Sequence, residues 1–361
     1  MVGFKYKSEV VGKNGISARV VSKSKSAYSD TIITTWEYDA PKCILAELNT
    51  HNMLVKNAQS SRAVPVKKVI EQIRNNPVTP VHWGSNQAGM VAGEEIDTRV
   101  IWPDDKYPEG IELCKESAWH LSANQVADLM QAWEDAGYHK QIVNRIGEAF
   151  VMVRGVITGT EIDNFFHLRY HKDADPYIQE LARCMWEAYE LAEATVLHEG
   201  EWHLPYVDVS IPWEDMGKVE VAIRDNVLSG TTMTTQSLLL AAKGLTIEQA
   251  LKISAAACGQ VSYRKLDLSD ETVDRVWDRL MTGDIIHASV TGHQATPMRT
   301  FEWPQYCDPS VWLDSEDEGI THADRKGDYW SAQFKHWIMH RKLIPNEVFK
   351  GNFTPPTKDN K

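Results

Sequence analysis

The chain has 361 residues and a mass of 40.9 kDa, and 43% of its residues are hydrophobic and 24% charged, a composition typical of a globular protein with a sizeable core. Its formal net charge of −12 argues against general affinity for duplex DNA or an anionic membrane, because those contacts need clustered Lys and Arg. A small phosphorylated ligand is not excluded, since one or two local arginines suffice to bind it.

Cysteine usage and the N-terminus predict the compartment. The five cysteines are widely spread and include no C-x-x-C pair, so neither a disulfide framework nor a zinc site is indicated. The first residues, MVGFKYKSEVVGKNG, lack the apolar core of a signal peptide, and no run is long enough to span a membrane. We therefore expect a soluble cytoplasmic protein with no membrane partner, located in the host cytoplasm if the chain is encoded by a phage.

The first part of the chain predicts few strands. Residues 1–28 are polar and rich in Lys and Ser, and we expect a polar lead-in there. The β-branched and aromatic run 30–38 predicts a strand. Apolar spacing predicts helix over 42–51 and again over 66–73, before Asn75-Asn76-Pro77. Residues 77–113 are rich in Pro, Gly, Asn and Asp and predict a long irregular connection.

Helices dominate the rest of the predicted structure. A strand is expected at 151–157, and Asp175-Pro176 has the pattern of an N-cap followed by proline at the first helical position. The predicted helices are 122–136, 139–148, 161–170, 176–196, 246–258, 270–281 and 331–341. The tail 346–361 is expected to be flexible. Helices outnumber strands, which predicts an α/β or α+β fold.

The segment 47–65, ELNTHNMLVKNAQSSRAVP, carries most of the functional signal. Proline at position 65 suits a first helical turn. The hydroxyls of Ser60 and Ser61 can cap backbone donors or hold phosphate oxygens. On spacing alone, a junction with capping serines and a solvated Arg62 explains the segment equally well.

This segment resembles the signature R-H-R-x-x-S-x-N-x-x-S-x-R of flavin-dependent thymidylate synthases. The matching positions are His51, Asn57, Ser60 and Arg62. The departures are Thr50, Asn52 and Val55. The resemblance implies that Ser60, Ser61 and Arg62 contact dUMP and that His51 and Asn57 contact FAD.

Two further segments resemble motifs of the same family. Residues 164–169, NFFHLR, resemble a family segment that places Asn164 near the flavin and Arg169 on the pyrimidine of dUMP. A guanidinium suits the second role because it is always charged and can stabilise negative charge on the base. Around Arg145, the sequence VNRI resembles the helix whose arginine holds the nucleotide phosphate. From the residues alone, a core helix with a surface arginine is the preferred interpretation of the first segment, and it explains the second as well as a phosphate site does.

Two more resemblances lie in an unexpected order. Residues 256–263, AACGQVSY, resemble C-A-R-V-S-Y, and residues 287–293, HASVTGH, resemble H-x-S-P-F-E-H, with Gln260 and Gly292 as departures. The resemblance assigns Ser262, His287 and Ser289 to FAD. In the family both blocks precede the signature, whereas here they follow it, so the chain resembles a circularly permuted, phage-type member.

The resemblance implies a fold with a central antiparallel or mixed sheet flanked by helices. It implies one domain over 29–345, with the signature and nucleotide part at 29–200 and the permuted block at 245–300. It also implies a homotetramer with sites between subunits, a small nucleotide as substrate, and no nucleic acid polymer. The implied reaction transfers a one-carbon unit from methylenetetrahydrofolate to C5 of dUMP, with reduction through FAD and NADPH. Arg169 is the implied catalytic residue.

The departures leave the cofactor and product open. Loss of two arginines at positions 50 and 52 would weaken FAD roughly a hundredfold unless residues such as Lys56 or Gln59 compensate. A 5-hydroxymethylase acting on dUMP or dCMP, or a non-catalytic nucleotide-binding relic, are the alternatives. We expect no metal, because His167 and His171 lack the Glu of H-E-x-x-H and position 325 lacks the Glu that a calcium loop requires.

Overall fold

A central β-sheet organises the protein, and helices pack against it. The computed structural model describes residues 4–210, 216–229, 233–261, 266–283, 286–298, 319–349 and 351. The strands are β1 (Ser8–Val11), β2 (Ser17–Ser26), β3 (Ile32–Pro41), β4 (Val55–Ala58), β5 (Val100–Trp102), β6 (Ile111–Leu113), β7 (Met152–Gly159), β8 (Thr195–Leu197), β9 (Ala295–Pro297), β10 (His322–Ala323), β11 (Tyr329–Ser331), β12 (Phe334–Lys335) and β13 (Trp337–Met339). The helices are α1 (Leu45–Asn49), α2 (Val66–Asn75), α3 (Lys115–Asp135), α4 (Lys140–Ile146), α5 (Asp163–Arg169), α6 (Pro176–Leu191), α7 (Met216–Ser229), α8 (Thr235–Ala242), α9 (Ile247–Gln260) and α10 (Asp270–Met281).

The central sheet has six strands in the order β1-β2-β3-β7-β4, with β8 added to β2. The pairs along the main path are antiparallel, and β8 runs parallel to β2. Strand β4 ends this path, and its Val55 lies opposite Thr158 of β7. The expected mixed α/β fold with an antiparallel sheet is therefore confirmed.

Two apolar clusters hold the helices in place. Trp36 of β3 is fully buried against α6, and its indole N–H donates to the carbonyl of Met185 at 3.1 Å. Helices α2, α3 and α4 share a second cluster built around Ile73, Met130 and Val143. These clusters fix the two ends of the signature segment between them.

The segment 1–28, expected to be a polar lead-in, is instead part of the sheet. Strand β2 lies between β1 and β3, and its polar side chains are buried because they find partners there. Ser24 lies 2.9 Å from a ring nitrogen of His203, and Lys23 donates to the carbonyls of Tyr189 and Ala192 at 2.8 and 3.0 Å. Buried polar groups of this kind are stable only when hydrogen-bonded.

The helix expected at 331–341 is also absent. Strands β11, β12 and β13 and a 3₁₀ turn, His340–Leu343, occupy this segment. Ala332 and His336 have φ angles of 52° and 59°, which an α-helix does not admit. The expected helix beyond Asp175-Pro176 is confirmed at its start, where Asp175 accepts the backbone N–H of Tyr177, but it ends at Leu191 and β8 follows.

Helices were expected to outnumber strands, but the described residues form thirteen strands and ten α-helices, because short strands such as β10 to β13 have little local signal. Most other predicted elements correspond closely to the structure. Strand β3, helix α2 and helix α10 lie where the sequence placed them, and α3 begins seven residues earlier than expected, at Lys115. Residues 77–113 are largely irregular and include the hairpin β5–β6. Helices α7 and α8 were not predicted. Among the described residues, no helix has the length and apolarity needed to cross a membrane.

Candidate functional site

The signature segment lies at the edge of the central sheet that β4 forms. Helix α1 leads into His51, β4 follows, and the loop 59–65 then leads into α2. Because β4 pairs on one side with β7, its other side faces the block 286–298. Residues of the segment therefore lie in three neighbouring environments along one edge.

At the first of these, Arg169 contacts His51. The Arg169 Nε–H donates to His51 Nε2 at 2.8 Å, and its Nη1 lies 3.0 Å from Glu47 Oε2. Glu47 lies in α1 and His51 lies two residues beyond its end, and both contact the arginine at the end of α5. Phe165 packs edge-on against the His51 ring at a centroid distance of 5.0 Å. Two sequence motifs separated by 118 residues are thus hydrogen-bonded to each other.

The surroundings of His51 favour the neutral form of its imidazole. Burial, then the Arg169 and Lys56 cations, lower the pKa of the imidazole below its ordinary value. Because a guanidinium can only donate, Nε2 of His51 accepts and the ring proton lies on Nδ1. Burial also lowers the pKa of the Lys56 ammonium, which donates to the backbone carbonyl of His51.

The second environment is the loop that carries Ser60, Ser61 and Arg62. The Ser60 hydroxyl accepts the backbone N–H of Arg62 at 3.3 Å, and the Arg62 side chain is exposed. Asn144 is buried, and its amide donates to the carbonyls of Ser61 and Val64 at 2.8 Å each. Helix α4 therefore packs beside the loop.

Arg145 follows Asn144 on α4 and is exposed. The structure thus places Arg62, a predicted dUMP contact, and Arg145, the predicted phosphate contact, on segments held together by Asn144. No contact joins either of them to Arg169 in the described part of the chain.

The third environment is a cleft of about 940 Å³, which we call the larger cleft because a smaller one adjoins it. Asn57, His287 and Ser289, three of the residues assigned to FAD, all line it. Its other lining residues are Ala58, Lys68, Cys258, Gly259, Gln260, Asp267, Thr272, Arg275, Val276, Arg279, Leu280 and Val290. The structure therefore unites the signature segment with the block 287–293.

A smaller cleft of about 480 Å³ adjoins it, and Ser289 lines both. Three positions at which the sequence departs from the family pattern, Asn52, Val55 and Gly292, line this smaller cleft. A Cβ added at Gly292 would lie 3.1 Å from Val55 Cγ1, so these two departures fit each other sterically. Arg341 and Lys342 also line it, and both are paired with Glu347.

Other predicted residues lie outside these clefts. His51 is engaged with Arg169 and does not line the larger cleft, and Asn164 is exposed on α5. Ser262 lies outside the described residues. Thr50, at the end of α1, uses its hydroxyl to donate to the Glu47 carbonyl at 2.7 Å.

Sequence reasoning missed Glu47, Arg275 and Arg279. The spacing of Glu47 and His51 within a predicted helix was a usable signal for the first. Arg275 and Arg279 are also four apart on a correctly predicted helix, which places them on one face. Among the described residues, no group of three or more His, Cys, Asp or Glu could hold a metal.

The block 286–298 is fixed to the sheet by buried polar contacts. The Thr158 hydroxyl lies 2.8 Å from His293 Nδ1 and 2.7 Å from the Thr35 hydroxyl, which in turn lies 2.8 Å from His203 Nε2. Burial lowers the pKa of both histidines to about 3. These hydrogen-bonded groups hold β3 and β7 against the block 286–298.

No protein-family model matches the chain, and no curated protein matches it in sequence. Among solved structures, it is similar to a UMP/dUMP methylase, PolB, from Streptomyces cacaoi bound with 5-Br dUMP, at 14% identity and a TM-score of 0.36, covering 50% of this chain and 92% of that one. The same methylase with 5-Br UMP matches at 14% identity and a TM-score of 0.30, covering 51% and 91%. Thymidylate synthase X (ThyX) from Helicobacter pylori with FAD and dUMP matches at 12% identity and a TM-score of 0.28, covering 44% and 67%.

Proposed function

We propose that this protein is a nucleotide-modifying enzyme similar to flavin-dependent thymidylate synthases. In this proposal it transfers a one-carbon unit from methylenetetrahydrofolate to C5 of dUMP, and NADPH is the final reductant. FAD, when bound, supplies the hydride that reduces the transferred unit.

The convergence of four dispersed motifs along β4 carries this proposal. Arg169 contacts His51, Asn144 contacts the loop of Ser61, and Ser289 shares a cleft with Asn57. These pairs come from segments that resemble separate motifs of one family. A single active site requires these segments to lie close together. The resemblance of one segment alone would not require this proximity.

The chemistry assigned to Arg169 follows from its contacts. Glu47 and the neutral His51 fix the guanidinium, which has more N–H donors than these two contacts use. The remaining donors would bind the pyrimidine carbonyls and stabilise negative charge on the ring while C5 becomes nucleophilic. Ser60, Ser61, Arg62 and Arg145 would hold the nucleotide phosphate.

The larger cleft fits a flavin dinucleotide. Its volume of about 940 Å³ lies within the range of ligand sites. Gly259 lines it where an added Cβ would lie 3.1 Å from Val290 Cγ1, so a side chain there would crowd Val290. Val276 and Leu280 offer apolar contact for a ring system, and Asn57, His287 and Ser289 would bind its polar edges.

The alternative is a 5-hydroxymethylase of dUMP or dCMP that lacks the reduction step, and the smaller cleft favours it. Asn52, Val55 and Gly292 gather there, so the departures from the family pattern are concentrated in one place. A non-catalytic nucleotide-binding relic is a further alternative.

We also propose a homotetramer with sites between subunits. Three predicted binding residues, Arg62, Arg145 and Asn164, are exposed, as expected if a neighbouring subunit completes the site. Light scattering of the purified protein tests this, and a monomer at micromolar concentration would contradict it.

The visible absorption spectrum of the purified protein, recorded before and after adding FAD, tests the function. A flavin spectrum, together with tritium release from 5-tritiated dUMP and formation of thymidylate, supports the synthase. A colourless protein that forms a 5-hydroxymethyl nucleotide supports the alternative. If neither dUMP nor dCMP binds, the proposal is wrong.

A further inference from the structure

Two arginines and a lysine line the larger cleft, and no carboxylate of the described residues pairs with them. Arg275 and Arg279 lie one turn apart on α10, whose Thr272, Val276 and Leu280 line the same cleft. Lys68 reaches the cleft from α2. All three cations are exposed, so they lie at the rim, while the apolar residues of α10 are half-buried.

Their charges are available to a ligand. Within the described ranges, no carboxylate lies within ion-pair distance of Lys68, Arg275 or Arg279, and Arg275 donates only to the Thr272 hydroxyl, at 3.2 Å. The one carboxylate among the described lining residues is Asp267. It accepts the Ser269 backbone N–H at 3.0 Å and the Thr272 hydroxyl at 2.9 Å.

The smaller cleft differs in this respect. Its Arg341 and Lys342 are both held by Glu347, at 2.6 and 2.5 Å. Its Lys56 donates to the carbonyl of His51. An anionic group entering the smaller cleft must compete with these contacts. One entering the larger cleft meets cations that have no ion-pair partner among the residues that the structure describes.

We propose that Arg275 and Arg279, with Lys68, bind the diphosphate of a dinucleotide in the larger cleft. Two guanidiniums one turn apart can each place paired donors on one phosphate. They thereby replace, on a different element, the two arginines that positions 50 and 52 lack. This inference rests on the proposed function only in taking FAD as the dinucleotide.

Equilibrium titration of the full-length protein with FAD, ADP and riboflavin tests the assignment. Arg275→Gln and Arg279→Gln should each weaken FAD and ADP roughly ten- to a hundredfold, and the double variant more than either. Riboflavin lacks phosphate, so its affinity should not change. Rising salt should weaken ADP binding to the wild type more than to the double variant.

Two variants serve as matched controls. Lys67 is exposed beside Lys68 on α2 but does not line the cleft, so Lys67→Gln should leave ADP affinity unchanged while Lys68→Gln lowers it. Arg224→Gln on α7 controls for the loss of an exposed arginine. Unchanged thermal unfolding midpoints show that the variants are folded.

The outcomes separate this inference from the proposed function. Equal affinity of wild type and all variants for ADP and FAD overturns the inference, and so does a wild type that binds neither. If ADP binds and the arginine variants weaken it, but FAD does not bind, the diphosphate site stands and the proposed flavin cofactor is wrong.

Discussion

Thr158 and His293 are hydrogen-bonded at 2.8 Å although 135 residues separate them. Thr158 belongs to β7, at the centre of the sheet, and His293 belongs to the block that resembles an N-terminal segment of the family. That block therefore packs on the sheet beside β4. The permutation of the segments stays a prediction, which rests on their order in the sequence.

We predict that Thr158→Val destabilises the protein by about 1–3 kcal/mol, because it removes the hydroxyl partner of both Thr35 and His293 in a fully buried site. Valine has nearly the same shape, so the loss reports hydrogen bonding. Denaturant unfolding measures it, with Thr98→Val in an exposed loop as control. Equal unfolding free energies for the two variants would mean that this contact does not stabilise the block.

The buried histidines predict an acid-sensitive fold. Burial lowers the pKa of His203 and His293 from the ordinary 6.5 to about 3. Below pH 6.5 the unfolded chain takes up protons that the folded protein does not, so stability falls as pH falls. Each histidine should contribute a loss of roughly 1.4 kcal/mol per pH unit.

Urea unfolding between pH 6.5 and 5 measures this slope above most carboxylate titrations. His293→Gln should reduce the slope by the contribution of one histidine, and His167→Gln, at an exposed position, should leave it unchanged. A wild-type stability that is flat over this window would contradict the prediction.

Local patterns predicted the elements whose conformation local residues determine. The β-branched run of β3, the N-cap at Asp175 and the amphipathic α10 all carry their signals within a few residues. The segment 331–341 carries no such local signal, because the apolar run Trp337–Met339 suits either a helix or a strand. Its conformation depends on the pairing of β13 with β9, about forty residues earlier in the chain.

The candidate site divides in the same way. The resemblance identified His51 and Arg169, and these two residues contact each other in the structure. It did not identify the cations of α10, because their proposed role depends on the cleft that they line. The buried strand β2 was missed for a related reason. Its Lys23 and Ser24 resemble surface residues in the sequence, and only tertiary partners explain their burial.

Mutations of Asn144 and Arg145 should both weaken dUMP binding, but only the first should lower stability. Asn144→Ala removes two hydrogen bonds to the loop carbonyls, so we expect a loss of about 1–3 kcal/mol in stability and weaker dUMP binding. Arg145→Ala, at an exposed position, should weaken dUMP roughly tenfold without changing stability. Thermal unfolding and dUMP titration of both variants test the pair. A stability loss in Arg145→Ala with intact dUMP binding would assign Arg145 a structural role.

Restoring one family arginine should have little effect. Asn52 lines the smaller cleft together with Lys56, Arg341 and Lys342, so Asn52→Arg adds a fourth cation there and none in the larger cleft. We expect FAD affinity to change by less than about threefold. A new charge-assisted contact to FAD would instead raise its affinity roughly tenfold or more. Titration with FAD, with and without dUMP, measures it. A gain of tenfold or more would place the diphosphate in the smaller cleft.

Arg169→Lys should lower turnover far more than nucleotide affinity. The guanidinium donates to His51 and Glu47 from different nitrogens, and a lysine, with a single ammonium, cannot keep both contacts and also reach the pyrimidine. We expect kcat to fall on the order of 10²- to 10³-fold, as for the loss of one donor to a developing anion. The Kd for dUMP should rise by less than about tenfold, because the phosphate contacts are separate. Single-turnover kinetics and dUMP titration measure the two quantities, with Arg99→Lys in an exposed loop as control. Equal losses in kcat and dUMP affinity would show that Arg169 binds the ground state as strongly as the transition state, and its assignment as the catalytic residue would then be wrong.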